Sequence, residues 1–147
     1  VARLCREVIS TCSHKKHDEA VVLRFDESSP QIMVDADKNR IMQVLSNFIT
    51  NALKFTAKGS VTLSYRLEDD SQLRFCVTDT GKGIPAEQQH EIFSRFVKLD
   101  SFSQGAGLGL SICQSLVERM GGQIGVNSRE GEGSCFWFTH PYTLVTF

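Results

Sequence analysis

The chain has 147 residues, 41% hydrophobic and 22% charged, with a formal net charge of -1. That length predicts one domain, and the composition excludes a disordered tail, a collagen-like repeat and a coiled-coil rod. Near-neutral charge argues against a dedicated nucleic-acid binder, and no stretch approaches the ~18 to 20 apolar residues of a membrane span. In chain order, Val1, Leu4, Cys5, Val8 and Cys12 lie on one face of a helix predicted over 1–17. Strands are predicted over 20–25 and 31–34, around a turn punctuated by Pro30. Asp35 or Asp37 can cap a long helix running to about Phe55, with Gly59 just past its end. Alternation of Val61, Leu63, Tyr65 and Leu67, then of Leu73, Phe75 and Val77, predicts an antiparallel hairpin with one half-exposed face. Pro85 opens a short helix through about Phe93, and 97–106 is polar and aperiodic. A helix follows from about Leu108 to Met120, ended by Gly121 and Gly122, and 123–128 and 134–139 make a final hairpin. These elements predict an α+β two-layer sandwich, a mixed and mostly antiparallel sheet with helices on one face.

Eleven glycines are an ordinary number, but none precedes Gly59, and five fall in two tight groups, Gly81/Gly83 and Gly105/Gly107/Gly109. The cysteines, Cys5, Cys12, Cys76, Cys113 and Cys135, are odd in number and form no C-x-x-C pair, which reads as free thiols of a reducing cytoplasm. With no signal peptide and no starting Met, Val1 reads as a processing boundary.

Three features carry candidate chemistry. On the long helix, Arg40, Gln43, Asn47, Asn51 and Lys54 fall within about an 80° arc, opposite Ile41, Leu45, Phe48 and Ala52. Such a stripe is usually a solvated face, yet asparagine is a mediocre helix former. Carboxamides one turn apart, with Lys54 next along, offer hard oxygens for Mg²⁺ and a cation for phosphate. Next, Asp79-Thr80-Gly81-Lys82-Gly83-Ile84-Pro85 closes a strand. Its carboxylate can accept from an amine and its glycines let backbone approach a ligand, although D-x-G alone is also a plain turn. Finally, Gly105-Ala106-Gly107-Leu108-Gly109-Leu110 enters a helix, where orphan N–H groups suit an anion; a hinge is the rival reading. Residues 81–86 imitate a dinucleotide fingerprint, but the preceding strand alternates and no further strand–helix–strand units follow. A P-loop is excluded because the chain lacks G-K-[ST].

Together and in this order, these features resemble the ATP-binding catalytic domain of sensor histidine kinases, within the GHKL superfamily of Bergerat-fold ATPases. The segment 47–56 is similar to the N box, 79–84 to the first glycine box and 92–98 to the F box. Residues 105–110 are similar to the second glycine box and 131–141 to the closing hairpin. The resemblance covers 1–142, leaving 143–147 as a short tail. It implies ATP and Mg²⁺ as cofactors, with Asn51 and Asn47 at the metal and Asn47 and Lys54 as the catalytic pair, Lys54 facing the phosphates. It puts Phe55 near the adenine, Asp79 on the adenine amino group, and Gly81, Gly83 and Ile84 along the ring. Gly105, Gly107, Leu108 and Gly109 would meet phosphates, and Phe93 and Phe96 would anchor a mobile lid over 97–106.

Two departures shape the expected activity. Gyrase-, mismatch-repair- and heat-shock-chaperone-type relatives place a water-activating carboxylate where this chain has Asn47, so slow hydrolysis is expected. The histidine-plus-acid box of the phosphoacceptor helix is absent, and His14, His17, His90 and His140 read as ordinary surface or structural histidines. The implied function is therefore transfer of the γ-phosphoryl group to a histidine on a separate dimerisation domain. A response regulator receiver would act downstream. The chain is expected to be monomeric alone, without nucleic-acid or membrane contact, on the cytoplasmic side of a membrane-bound sensor. A degenerate nucleotide-binding module and a nucleotide-free interaction domain are the alternatives.

Overall fold

Helical spacing in the first segment correctly marks the residues that face inward. In the computed structural model, α1 (Ala2–Ser13) buries Cys5, Val8 and Cys12 completely. β1 (Val21–Phe25) precedes α2 (Lys38–Phe55), and of the two candidate caps it is Asp37 whose Oδ1 accepts from the Arg40 N–H, at 3.2 Å. The structure describes residues 1–13, 21–27, 29, 37–56, 58–69, 71–81, 83, 106–129 and 131–141. The predicted continuation of the first helix over 14–17, the strand at 31–34, the helix opening at Pro85, the lid segment up to 105 and the tail lie outside these residues.

β2 (Gly59–Asp69) and β3 (Gln72–Asp79) form the predicted antiparallel hairpin. Gly59 is the first residue of β2 and does not cap α2; Thr56 does. At Gly59 the backbone has φ +124°, and a Cβ there would overlap the Thr80 side chain. Apolar alternation overruns the core by one step, since Leu67 beside the register shift is 40% exposed. α3 (Ala106–Arg119) starts earlier than the expected Leu108, so Gly107 and Gly109 lie inside its first turn. Its end is a Schellman motif: the Gly122 N–H donates to Val117 O and the Gly121 N–H to Glu118 O, with Gly121 at φ +86°. β4 (Ile124–Arg129) and β5 (Gly133–Pro141) complete the chain as the predicted second hairpin.

The sheet order is β1-β2-β3-β5-β4, with β1 and β2 parallel and the other neighbours antiparallel. One face carries Val61, Leu63, Leu73, Phe75, Val77, Phe136 and Phe138, all buried against the helices. Phe48 of α2 sits at the centre, 5.5 Å from the Phe136 ring and 6.0 Å from the Phe138 ring. The aromatic chain continues through Phe75, Tyr65 and Phe25 to the far edge strand. The predicted two-layer α+β sandwich, helices on one face, is the observed architecture. His140 is buried in it at the end of β5, its Nδ1 2.7 Å from the Pro141 carbonyl oxygen, a structural histidine as expected.

Candidate functional site

The polar stripe of α2 runs from solvent into the interior. Arg40 and Gln43 are exposed, Asn47 is half-buried, and Asn51 is only 5% exposed. A solvated helix face does not bury its last carboxamide, because an amide withdrawn from water needs polar partners in place of it. The Asn47 side chain lies near the Cys113 thiol of α3, where it partly offsets the rise that burial imposes on that thiol. Just past α2, the Thr56 hydroxyl is buried without a hydrogen-bond partner among the described residues. Lys54 and Phe55 close α2, but their side chains lie outside the described part.

Asp79 ends β3 and is 5% exposed. Its Oδ1 accepts from the Gly81 N–H at 2.9 Å, and the carboxylate also accepts from the Ser134 N–H. Burial pushes its pKa up, and these two backbone donors hold it partly back. The turn beyond is stitched to β2: the Ser60 N–H donates to Thr80 Oγ1 at 3.0 Å and the Thr80 N–H to Ser60 O at 3.1 Å. Gly83 has φ +72°, in the left-handed region where a side chain is strained.

β5 supplies a neighbour that sequence reasoning missed. Ser134 is the register partner of Asp79, is itself buried, and its hydroxyl lies 2.8 Å from Ser128 Oγ. Gly133 before it, at φ +110°, lets β5 approach so closely that a Cβ would sit 2.2 Å from the Asp79 carbonyl oxygen. The G-S pair in the closing hairpin was the available signal, but only strand pairing places it beside Asp79. A shallow open cavity of about 490 Å³ lies at these strand ends, lined by Thr78, Asp79, Ser128, Arg129, Ser134 and Cys135 among others and not by Asn47 or Asn51, so it reaches toward the helix-free face.

Gly107, Leu108 and Gly109 form the backbone of the first turn of α3, the placement expected of an anion-binding helix start. Ile84, Phe93, Phe96 and Gly105 lie outside the described residues. Taken together, the site offers a buried carboxylate with an open end, a buried carboxamide and a glycine-rich helix start. No trio of His, Cys, Asp or Glu among the described residues is arranged to hold a metal, so a cation here would rely on carboxamide and ligand oxygens.

Residues 36–144 match the family described as histidine kinase-, DNA gyrase B- and HSP90-like ATPases. The chain is 38% identical over 140 residues to the sensor protein GacS of Pseudomonas syringae pv. syringae, covering 90% of this chain and 15% of GacS. It superposes on full-length ShkA in complex with AMPPNP at a TM-score of 0.87, with 38% identity, covering 98% of this chain and 30% of ShkA. The nucleotide-free catalytic domain of histidine kinase ThkA matches at a TM-score of 0.83 and 34% identity, covering 97% of this chain and 93% of that domain. ThkA in complex with the response regulator protein TrrA matches at a TM-score of 0.79 and 32% identity, covering 97% of this chain and 40% of that one. The chain spans between 6% and 38% of the length of curated sensor kinases such as these.

Proposed function

The chain belongs to the histidine kinase-, DNA gyrase B- and HSP90-like ATPase family, and from that membership we propose that it is the ATP-binding catalytic part of a two-component sensor histidine kinase. It binds Mg²⁺·ATP and presents the γ-phosphoryl group to a histidine on a helical dimerisation domain of the same parent protein. A response regulator receiver domain acts downstream, a reading supported by the ThkA–TrrA complex. The carrying observation is Asp79: a buried carboxylate at a strand end, held by the Gly81 and Ser134 N–H groups. Such a group is placed to accept from an exocyclic amine of a flat base.

Ser134 positions that carboxylate. Gly81, Gly83 and Ile84 line the base, with Phe55 near it, while Phe93 and Phe96 anchor a lid. Gly105, Gly107, Leu108 and Gly109 cradle phosphates, and Lys54 contributes the cation. The buried Asn51 carboxamide fits a hard cation, with Asn47 beside it; when bound, Mg²⁺ neutralises phosphate charge. Asn47 cannot activate water, so the domain alone hydrolyses ATP slowly. The domain extends over 1–142, and its place is on the cytoplasmic side of a sensor. Among the described residues no helix is long and apolar enough to cross a membrane.

Calorimetric titration of ATP with Mg²⁺ tests this reading. Binding heat is expected, and Asn51→Ala is expected to weaken Mg²⁺·ATP by about tenfold or more, ~1.4 kcal/mol, while changing metal-free ATP much less. Absence of heat in the wild type overturns the proposal.

A further inference from the structure

The sheet face away from the helices is uneven in charge. The chain as a whole has a formal net charge of -1. Yet on this face of β1, β2 and β3 the described charged side chains are Arg24, Arg66 and Arg74 against Glu68 alone. Arg66 and Arg74 are register partners, and like charges directly opposite each other destabilise a ladder. Glu68 neutralises Arg74, at 2.6 Å. Arg24 donates to Thr62 Oγ1 at 3.1 Å, and neither it nor Arg66 has an acidic partner among the described residues. Both arginines are exposed. Arg24 lies beside Thr62 in register, and Arg66 is four residues further along β2, about 13 Å of strand.

The same face holds the single tryptophan of the chain. The Trp137 ring lies beneath the Arg74 guanidinium, 4.2 Å from its centroid, and over Gly125 of β4, where a Cβ would come within 2.4 Å of the ring. Its Nε1–H is buried with no hydrogen-bond partner among the described residues. Buried donors are nearly always paired, so an orphan under one displaceable side chain marks a bond left for something else to complete.

We infer that this face is a docking surface for a protein partner that presents an extended acidic segment. Carboxylates four residues apart on an extended chain have the spacing of Arg24 and Arg66, and guanidinium–carboxylate pairs are among the stronger hydrogen-bonded contacts. A carboxylate that pairs with Arg66 also competes with Glu68 for Arg74, its register partner. Drawing the Arg74 guanidinium off the ring uncovers the indole N–H, which then donates to the partner. Glu68 is thus the internal stand-in for the partner's acid. Tryptophan and arginine are the side chains that most often carry interface energy. Discrete carboxylates fit better than a nucleic acid, whose phosphates select chains with an overall basic excess.

The test titrates the chain with a ten-residue oligoglutamate and reads Trp137 emission together with the anisotropy of a labelled copy of the peptide. A saturable change in both is expected, and it should weaken as salt is raised. Arg66→Gln should weaken binding about tenfold. That variant should melt no lower than wild type, because it also removes a like-charge pair. Glu68→Gln should tighten binding severalfold by releasing Arg74. A peptide that does not bind, that binds Arg66→Gln equally well, or that Mg²⁺·ATP displaces overturns the inference. So does an oligothymidylate of equal charge that binds as tightly, or self-association that changes the emission without peptide. A chain that takes the peptide but no ATP refutes the proposed function and leaves this inference standing.

Discussion

A carboxylate withdrawn from water at a strand end is a cost that folding alone gives no reason to carry. Burial raises the pKa of Asp79, so the native state holds its proton more tightly than the unfolded chain does. Its contribution to stability is therefore gained as pH falls through the raised native value, and is complete below the ordinary carboxylate value. Asp79→Asn keeps an oxygen for the Gly81 N–H and removes the charge. That variant is expected to melt no lower than wild type at neutral pH, and wild type should gain on it as the solution is acidified. ATP affinity should nonetheless fall about tenfold or more, because an amide can present its NH₂ to the adenine amino group. Melting curves across pH and a nucleotide titration check both halves. Equal ATP affinity in the variant would sink the adenine-anchor role. The residue types proposed for this site stand out in the sequence at Asp79, Asn51 and the paired glycines. Ser134 does not, since a serine in a hairpin has no distinguishing pattern until its strand partner is known.

At the scale of elements, α2 does two jobs on opposite faces. Ile41, Val44, Leu45, Phe48, Ile49 and Ala52 are buried in the core, and Asn47 and Asn51 lie on the other side, where the proposed function puts the metal. Helical spacing made that division readable, because one turn of 3.6 residues separates the two faces cleanly. Phe48 joins α2 to β5 through the Phe136 and Phe138 rings. Phe48→Ala should therefore cost about 3–5 kcal/mol in a denaturant titration, a large share of the stability of a domain this size. A loss below ~1 kcal/mol would mean that the core collapses into the cavity without penalty. Boundaries were less legible than elements. Gly59 looked like punctuation after α2 and proved to open β2, because a glycine's need for positive φ does not say which structure imposes it. The early start of α3 has a similar cause: glycines depress helix propensity, and they enter a first turn only when something outside the local sequence favours it there.

For the whole molecule, the proposed function makes the chain the phosphoryl donor's half of an enzyme. Joined to a helical dimerisation domain bearing a histidine, it is expected to yield acid-labile, base-stable phosphate on that histidine, and Asn51→Ala should abolish the signal. Nucleotide binding without any such transfer would make the chain a regulatory nucleotide module instead. The covered face of the sheet meets all three described helices, and the other face carries Arg66, Arg74, Thr78 and Cys135 with Trp137 beneath Arg74. Sheets built this way read as clean alternation, which is why the two-layer class was accessible in advance.

By itself the sequence determined which segments alternate and which follow a helical period, and which side of each is apolar; it also supplied the residues proposed for nucleotide chemistry. These are local properties, set by side-chain type and spacing. Tertiary structure decided the neighbours: β1 parallel to β2, and β5 inserted between β3 and β4. An alternating strand declares its buried face but not its partner, since any strand of matching pattern can complete the ladder. That choice of partner puts Ser134 beside Asp79 in the core layer.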